Sequence, residues 1–162
     1  VAIQGNTAVV GAYLHDLPSK TDAGAVYVFQ RSGTTWTQIA KLTASNSAAN
    51  DNLGISVDLD GDTILAGAWL KTLLTSQQGA AYVFMRNAAG TWSQQAQLSD
   101  VNGTASDWFG NRVALEGDTA VIASPGDDVI FTDRGTEQIY TRSGTTWTRR
   151  CFRCWRVQMT KM

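Results

Sequence analysis

Gly61-Asp62-Thr63-Ile64-Leu65-Ala66-Gly67-Ala68 is the stretch whose reading decides the architecture, because the chain contains it three times. An earlier copy is Gly5-Asn6-Thr7-Ala8-Val9-Val10-Gly11-Ala12 and a later one is Gly117-Asp118-Thr119-Ala120-Val121-Ile122-Ala123-Ser124. The copies begin at 5, 61 and 117, so one period of 56 holds twice. A fixed period of this size marks a chain built from one supersecondary unit that buries its apolar faces by stacking on its neighbours.

The repetition spreads outward from the octapeptide. Gly24-Ala25-Val26-Tyr27-Val28-Phe29-Gln30-Arg31 matches Gly79-Ala80-Ala81-Tyr82-Val83-Phe84-Met85-Arg86, and Gly135 to Arg142 is a weaker third copy. A turn and a Trp-led segment follow each time, at Trp36, Trp92 and Trp147. Ahead of the octapeptide, Leu53 to Leu59 matches Phe109 to Leu115, and Val1-Ala2-Ile3 is the remnant in the first unit.

Each unit reads as four short strands, rich in β-branched and aromatic residues and punctuated by Gly, Asn and Asp. The first strand is expected at Ser56–Asp60 and Arg112–Glu116. The second is expected at Thr7–Ala12, Thr63–Ala68 and Thr119–Ser124, and the third at Ala25–Gln30, Ala80–Met85 and Glu137–Thr141. The fourth falls at Trp36–Leu42, Trp92–Leu98 and from Trp147 onward. Gly5, Gly61 and Gly117 supply the positive φ of a tight hairpin between the first two strands.

In the third strand Val26 and Val28 face one way, and Ala25, Tyr27 and Phe29 the other, so both faces are apolar. A sheet with one wet face would alternate apolar and polar residues. The expected fold is therefore all-β: three four-stranded antiparallel blades of a β-propeller, with a β-solenoid as the alternative. The units are 1–48, 49–104 and 105–148, the first lacking most of its first strand. Three blades do not close a ring, so the array is expected to continue in a longer chain or to self-associate through open blade faces.

Residues 149–162 break the pattern. Four Arg, both Cys and two of the three Met fall there, where a Gln-x-Ala-Lys-Leu strand is expected, as if the last strand were read in another frame.

Composition narrows the function. Net charge is −1 with 17% charged residues, which leaves no basic footprint for nucleic acid and no polybasic segment for an anionic membrane. No run of 18 apolar residues is present, so no membrane-inserting helix is expected.

The chain resembles the FG-GAP repeat family of bacterial tandem repeats related to the integrin alpha-subunit propeller. Phe109-Gly110 carries the first signature and Leu53-Gly54 is a conservative variant. The Gly-Ala-Pro element is degraded to Gly11-Ala12-Tyr13, Gly67-Ala68-Trp69 and Ala123-Ser124-Pro125. The resemblance spans about residues 1 to 148. It implies a non-enzymatic module for adhesion or for protein or glycan recognition, outside the cytoplasm or at the cell surface, with no shared catalytic residues. A structural spacer in a multidomain secreted enzyme is the alternative.

Candidate chemistry is sparse. Asp58-Leu59-Asp60-Gly61-Asp62 looks like a calcium loop, which needs 6–8 oxygens around one ion. It straddles a strand and its turn, however, and Asp58 and Asp60 fall on the same face. Asp127, Asp128 and Asp133 in the third strand-two-to-strand-three loop are better placed, with Asp16 and Asp22 the counterparts in the first; no metal or other cofactor is assigned. His15, the sole histidine, reads as an exposed loop residue, and Cys151-Phe152-Arg153-Cys154 lacks the second pair a zinc site needs. Trp36, Trp92 and Trp147 recur once per unit and read as packing residues. Trp69 and Trp108 do not recur and sit at connections, so they are the ligand-binding candidates. The loops 13–23, 69–78 and 125–134 differ most between units and are where function is expected.

Overall fold

The octapeptide folds as the sequence requires: a two-residue turn feeding a buried strand. In the computed structural model, which describes residues 1–127 and 135–152 with side chains through Arg150, Gly5, Gly61 and Gly117 have φ of 57°, 55° and 53°. Asp60 pairs with Thr63 across the turn, and Gln4 with Thr7 and Glu116 with Thr119 do the same. Glycine in the first turn position lets the strands keep their right-handed twist.

Twelve strands form among the described residues: β1 (Ala2–Gln4), β2 (Thr7–Ala12), β3 (Ala25–Ser32), β4 (Thr35–Leu42), β5 (Leu53–Asp60), β6 (Thr63–Ala68), β7 (Ala80–Arg86), β8 (Trp92–Leu98), β9 (Arg112–Glu116), β10 (Thr119–Ser124), β11 (Thr136–Ser143) and β12 (Thr146–Phe152). They make three antiparallel four-stranded sheets, ordered β1-β2-β3-β4, β5-β6-β7-β8 and β9-β10-β11-β12. These are the three expected blades, and the sheets do not close into a ring.

Several strands run one or two residues past the sequence reading, and two boundaries differ by more. β5 begins at Leu53, three residues early, because its register shifts between Leu53 and Val57 and lets the Leu53-Gly54 end pair again, at Ala68. β12 continues through Phe152, so 149–152 belong to the third blade although their side-chain pattern departs from the repeat. Arg149 pairs with Tyr140 and Cys151 with Ile139, across a bulge at Ile139/Tyr140. The other blades bulge at the equivalent Val28/Phe29 and Val83/Phe84. Backbone ladder bonds do not depend on side-chain identity, which is why the strand survives the change of composition. Residues 153–162, including Cys154, lie outside the described residues.

The blades pack face to face through two apolar clusters. Val9, Val26 and Val28 of the first blade meet Ile64, Ala66, Tyr82, Phe84 and Trp92 of the second. On the other face of the second blade, Leu65, Ala81 and Val83 meet Phe109, Leu115, Ala120, Ile122 and Tyr140 of the third. Alternate residues of one strand thus serve opposite neighbours, as the two apolar faces predicted.

Two devices repeat with the period. The arginine closing the third strand reaches the turn residue of its own blade: Arg31 to Asn6, Arg86 to Asp62 and Arg142 to Asp118. Each guanidinium also lies over the Trp of the fourth strand, 5.7 Å, 5.5 Å and 5.2 Å from the ring of Trp36, Trp92 and Trp147. The turn Asn or Asp is therefore a clamp between strands.

The second device joins blades. Val113, Leu115 and Gly117 donate their N–H groups to Ser56 Oγ, Asp58 Oδ2 and Asp60 Oδ2 at 3.1, 2.8 and 2.6 Å. Gly61 likewise donates to Gln4 Oε1 at 2.6 Å. The first strands of successive blades are laced together by side chains of one strand face, which is the positional meaning of Asp58 and Asp60.

Glycine is required where blades touch by backbone. A Cβ on Gly11 would enter the envelope of the Gly54 carbonyl oxygen, and one on Gly67 that of Gly110. The two signature glycines of the repeat are in contact across each junction.

Candidate functional site

An antiparallel four-stranded blade puts the start of its first strand, the end of its second, the start of its third and the end of its fourth at one edge. The variable β2–β3 and β6–β7 connections and the segments leading into β5 and β9 therefore share one rim of the molecule. Backbone bonds tie them together. Asn50, Asn52 and Leu53 donate to Thr21, Asp22 and Ala23, and Ser106, Trp108 and Phe109 donate to Ser76, Gln77 and Gln78. Each inter-blade segment is thereby seated on the loop of the blade before it, with short parallel bridges Gly24–Leu53 and Gly79–Phe109.

Seating demands left-handed backbone at two places per segment. Asn50 and Asn52 have φ of 64° and 57°, and Ser106 and Trp108 have 64° and 57° at the equivalent places. Asn adopts this conformation through local hydrogen bonding, whereas a bulky residue is strained there. Asn52 uses its side chain in full: Nδ2 donates to the carbonyls of Tyr13 and Asp22, and Oδ1 accepts from Trp69 Nε1 at 3.2 Å. Trp108 stands where Asn52 stands one blade earlier and packs its indole on Trp69, with ring centroids 5.7 Å apart and planes tilted by 58°.

The two Trp residues picked from the sequence are therefore brought together, 39 residues apart in the chain. Both are half-buried rather than fully on the surface. Trp108 Nε1 is buried with no hydrogen-bond partner among the described residues. The pair offers a partly exposed aromatic platform held by a strained backbone, a combination that clusters at functional sites.

Beneath the rim are buried charges, of which the sequence reading singled out only Asp127. Asp51 accepts from Ala48 N at 2.6 Å and pairs with Lys71 Nζ at 2.8 Å, both side chains being almost wholly buried. Lys71 also donates to the Asn46 carbonyl. One period on, Asp107 takes the place of Asp51, and Asp127 the place of Lys71. Asp107 accepts from the amide and hydroxyl of Thr104, and Asp127 from Thr136 Oγ1 at 2.7 Å. Burial pushes the Asp107 carboxyl above its ordinary value against the pull of the Thr104 bonds, and Asp127 and Asp100 add to the rise. Asp100 is itself held by Arg149 at 2.8 Å and by Gln138 at 2.5 Å. Burial likewise pushes the neighbouring Tyr140 hydroxyl up to about 12. Only an alignment of the copies position by position would have exposed the Lys71-to-Asp127 exchange.

The other candidates resolve as follows. Asp58 and Asp60 bond the next blade, and Asp16 Oδ1 accepts from Asp22 N at 2.8 Å, fixing its own loop. Among the described residues no group of three His, Cys, Asp or Glu is placed to hold a metal ion. Asp128 and Asp133 lie outside the described residues. His15 is half-buried, edge-on to Tyr27 at 5.8 Å, with Nδ1 3.4 Å from the Tyr27 hydroxyl, so it is a packed loop residue rather than an exposed one. Trp92 and Trp147 pack between blades as expected, whereas Trp36 is 40% exposed.

Comparison with known families matches the chain to the FG-GAP repeat over residues 1–29, 36–84 and 92–140. A comparison with curated proteins finds no match.

Proposed function

This chain belongs to the FG-GAP repeat family, and from that membership we propose that it is a non-enzymatic recognition or adhesion module of a larger exported protein. The loop-bearing rim is its working surface, for a protein or glycan outside the cell. The observation that carries the proposal is the Trp69–Trp108 pair. A packed, half-buried aromatic platform suits sugar faces and apolar protein side chains alike. The loops around it are the least repetitive part of the chain, as expected where a rigid scaffold carries variable contacts.

The reading uses no cofactor. Melting the chain with calcium and with chelator checks this, a midpoint raised by calcium counting against it. The main test is a panel of glycans and surface proteins probed with the labelled chain. Ligands whose binding is lost in Trp69→Ala and Trp108→Asn support the proposal. Binding that survives both changes removes it.

A second reading, a structural spacer in a multidomain secreted enzyme, draws on the lacing of the first strands, which stiffens the array. The same panel separates the two, because a spacer retains no ligand.

A further inference from the structure

β2 and β6 each begin with a buried threonine, Thr7 and Thr63, paired across the ladder with Gln30 of β3 and Met85 of β7. In the first blade Thr7 Oγ1 donates to an amide oxygen, Gln30 Oε1, at 3.3 Å. In the second blade the same place holds a sulfur, and Thr63 Oγ1 donates to Met85 Sδ at 3.1 Å. A further donor reaches that sulfur from the next blade. Arg142 Nη1 lies 2.9 Å from Met85 Sδ and 3.1 Å from Thr63 Oγ1, while its Nε holds Asp118.

A thioether is a weak acceptor. Here it faces a hydroxyl and a guanidinium, at separations ordinary for bonds to oxygen. The two donors are matched to a stronger acceptor than the one they meet. Gln30 shows which kind the repeat places there. Methionine sulfoxide has nearly the shape of glutamine, with the S–O oxygen standing for the amide oxygen. Met85 is only half-buried, which leaves its side chain open to a small oxidant.

We propose that Met85 is an oxidation site, at which hydrogen peroxide or another peroxide turns the thioether into a sulfoxide whose oxygen Thr63 and Arg142 hold. A lone pair of Sδ attacks one peroxide oxygen, the O–O bond breaks and an S–O bond forms. Sulfur gives up two electrons, and the other oxygen leaves as water after taking the remaining proton. The flexible side chain draws the sulfur back to seat the new oxygen. The guanidinium then makes a charge-assisted bond, stronger than one to a neutral sulfur. Oxidised methionine ordinarily loosens the packing around it. At this junction it ties the third blade more firmly to the second. The inference rests on that contact between blades and not on what the rim binds, so the ligand panel and the test below fail separately.

Hydrogen peroxide added to the folded chain tests it, read by peptide mapping in a mass spectrometer and by thermal melting. Met159, Met162, Cys151 and Cys154 are also oxidisable, so the Met85 peptide is read on its own. Met85→Leu, treated in parallel, records what the other groups contribute. The Met85 peptide should gain one oxygen while the circular dichroism spectrum stays native. The melting midpoint should rise in the parent and not in Met85→Leu. Met85→Gln should begin at the raised midpoint and not respond to peroxide. The proposal is overturned by a Met85 that stays unmodified at doses that oxidise it in the urea-unfolded chain. A midpoint unchanged or lowered by oxidation overturns it too, as does an equal rise in Met85→Leu or a Met85→Gln chain less stable than the parent.

Discussion

The carboxylate of Asp60 accepts the N–H of Gly117 at 2.6 Å, across the junction between two blades and 57 residues along the chain. The Gly117 bond is the main reason the Asp60 carboxyl is held below its ordinary value of 3.8, with the Gln4 amide second. A lowered carboxylate stabilises the folded state above the unfolded value, and that contribution is lost as pH falls through the folded value. Urea midpoints recorded from neutral pH into acid should fall, and Asp60→Asn should make that fall shallower. An unchanged slope would separate the bond from stability.

Asp107 has the opposite sign. Burial raises its carboxyl, so the folded state binds the proton more tightly than the unfolded chain, and stability is lost as pH rises through the window between the two values. Asp107→Asn keeps an acceptor for Thr104 and removes the charge beside Asp127 and Asp100. The variant should match or exceed the parent at neutral pH. The difference should vanish below the ordinary carboxylate value, as read by denaturation midpoints at both ends.

The Lys71–Asp51 pair should be costly to break from one side. Lys71→Met leaves the Asp51 carboxylate buried without its cation, an arrangement that costs about 3–5 kcal/mol. Adding Asp51→Asn to the same chain should recover much of the loss. A double-mutant cycle by chemical denaturation measures the coupling, and additive losses would show that the pair is not acting as a unit.

Gly67→Ala and Gly61→Ala separate two uses of one residue type. At Gly61 the surroundings are open and only the backbone conformation is strained, so the expected loss is about 1 kcal/mol. At Gly67 the added methyl meets the Gly110 carbonyl and pushes whole blades apart, for a loss of about 3 kcal/mol or more. Thermal melts in parallel rank them, and equal losses would refute the junction argument.

Trp108→Asn should spare the fold and remove the platform. Asn52 shows that the site welcomes asparagine, with a left-handed φ of 57° and carbonyls in reach of its amide. Relief of backbone strain, worth about 1–3 kcal/mol, opposes the lost stacking on Trp69 of about 0.5–1.5 kcal/mol. The melting midpoint should hold or rise while rim binding falls.

The sequence by itself determined the period, the hairpin turn, the strand order and the two-faced blades. These depend on local matters: positive φ at Gly61, side-chain alternation in Val26 to Phe29, and repetition of both every 56 residues. It also singled out Trp69 and Trp108, through their failure to repeat, without indicating that they touch. Tertiary structure alone decided the meetings between blades and between the segments of one rim. Asp60 with Gly117, Gly67 with Gly110, Lys71 with Asp51 and Trp69 with Trp108 lie 20 to 57 residues apart. Each contact depends on how one sheet face sits against the next, or on which loops share a rim. The alternation of a strand says which residues share a face, but only packing says which neighbour each one meets.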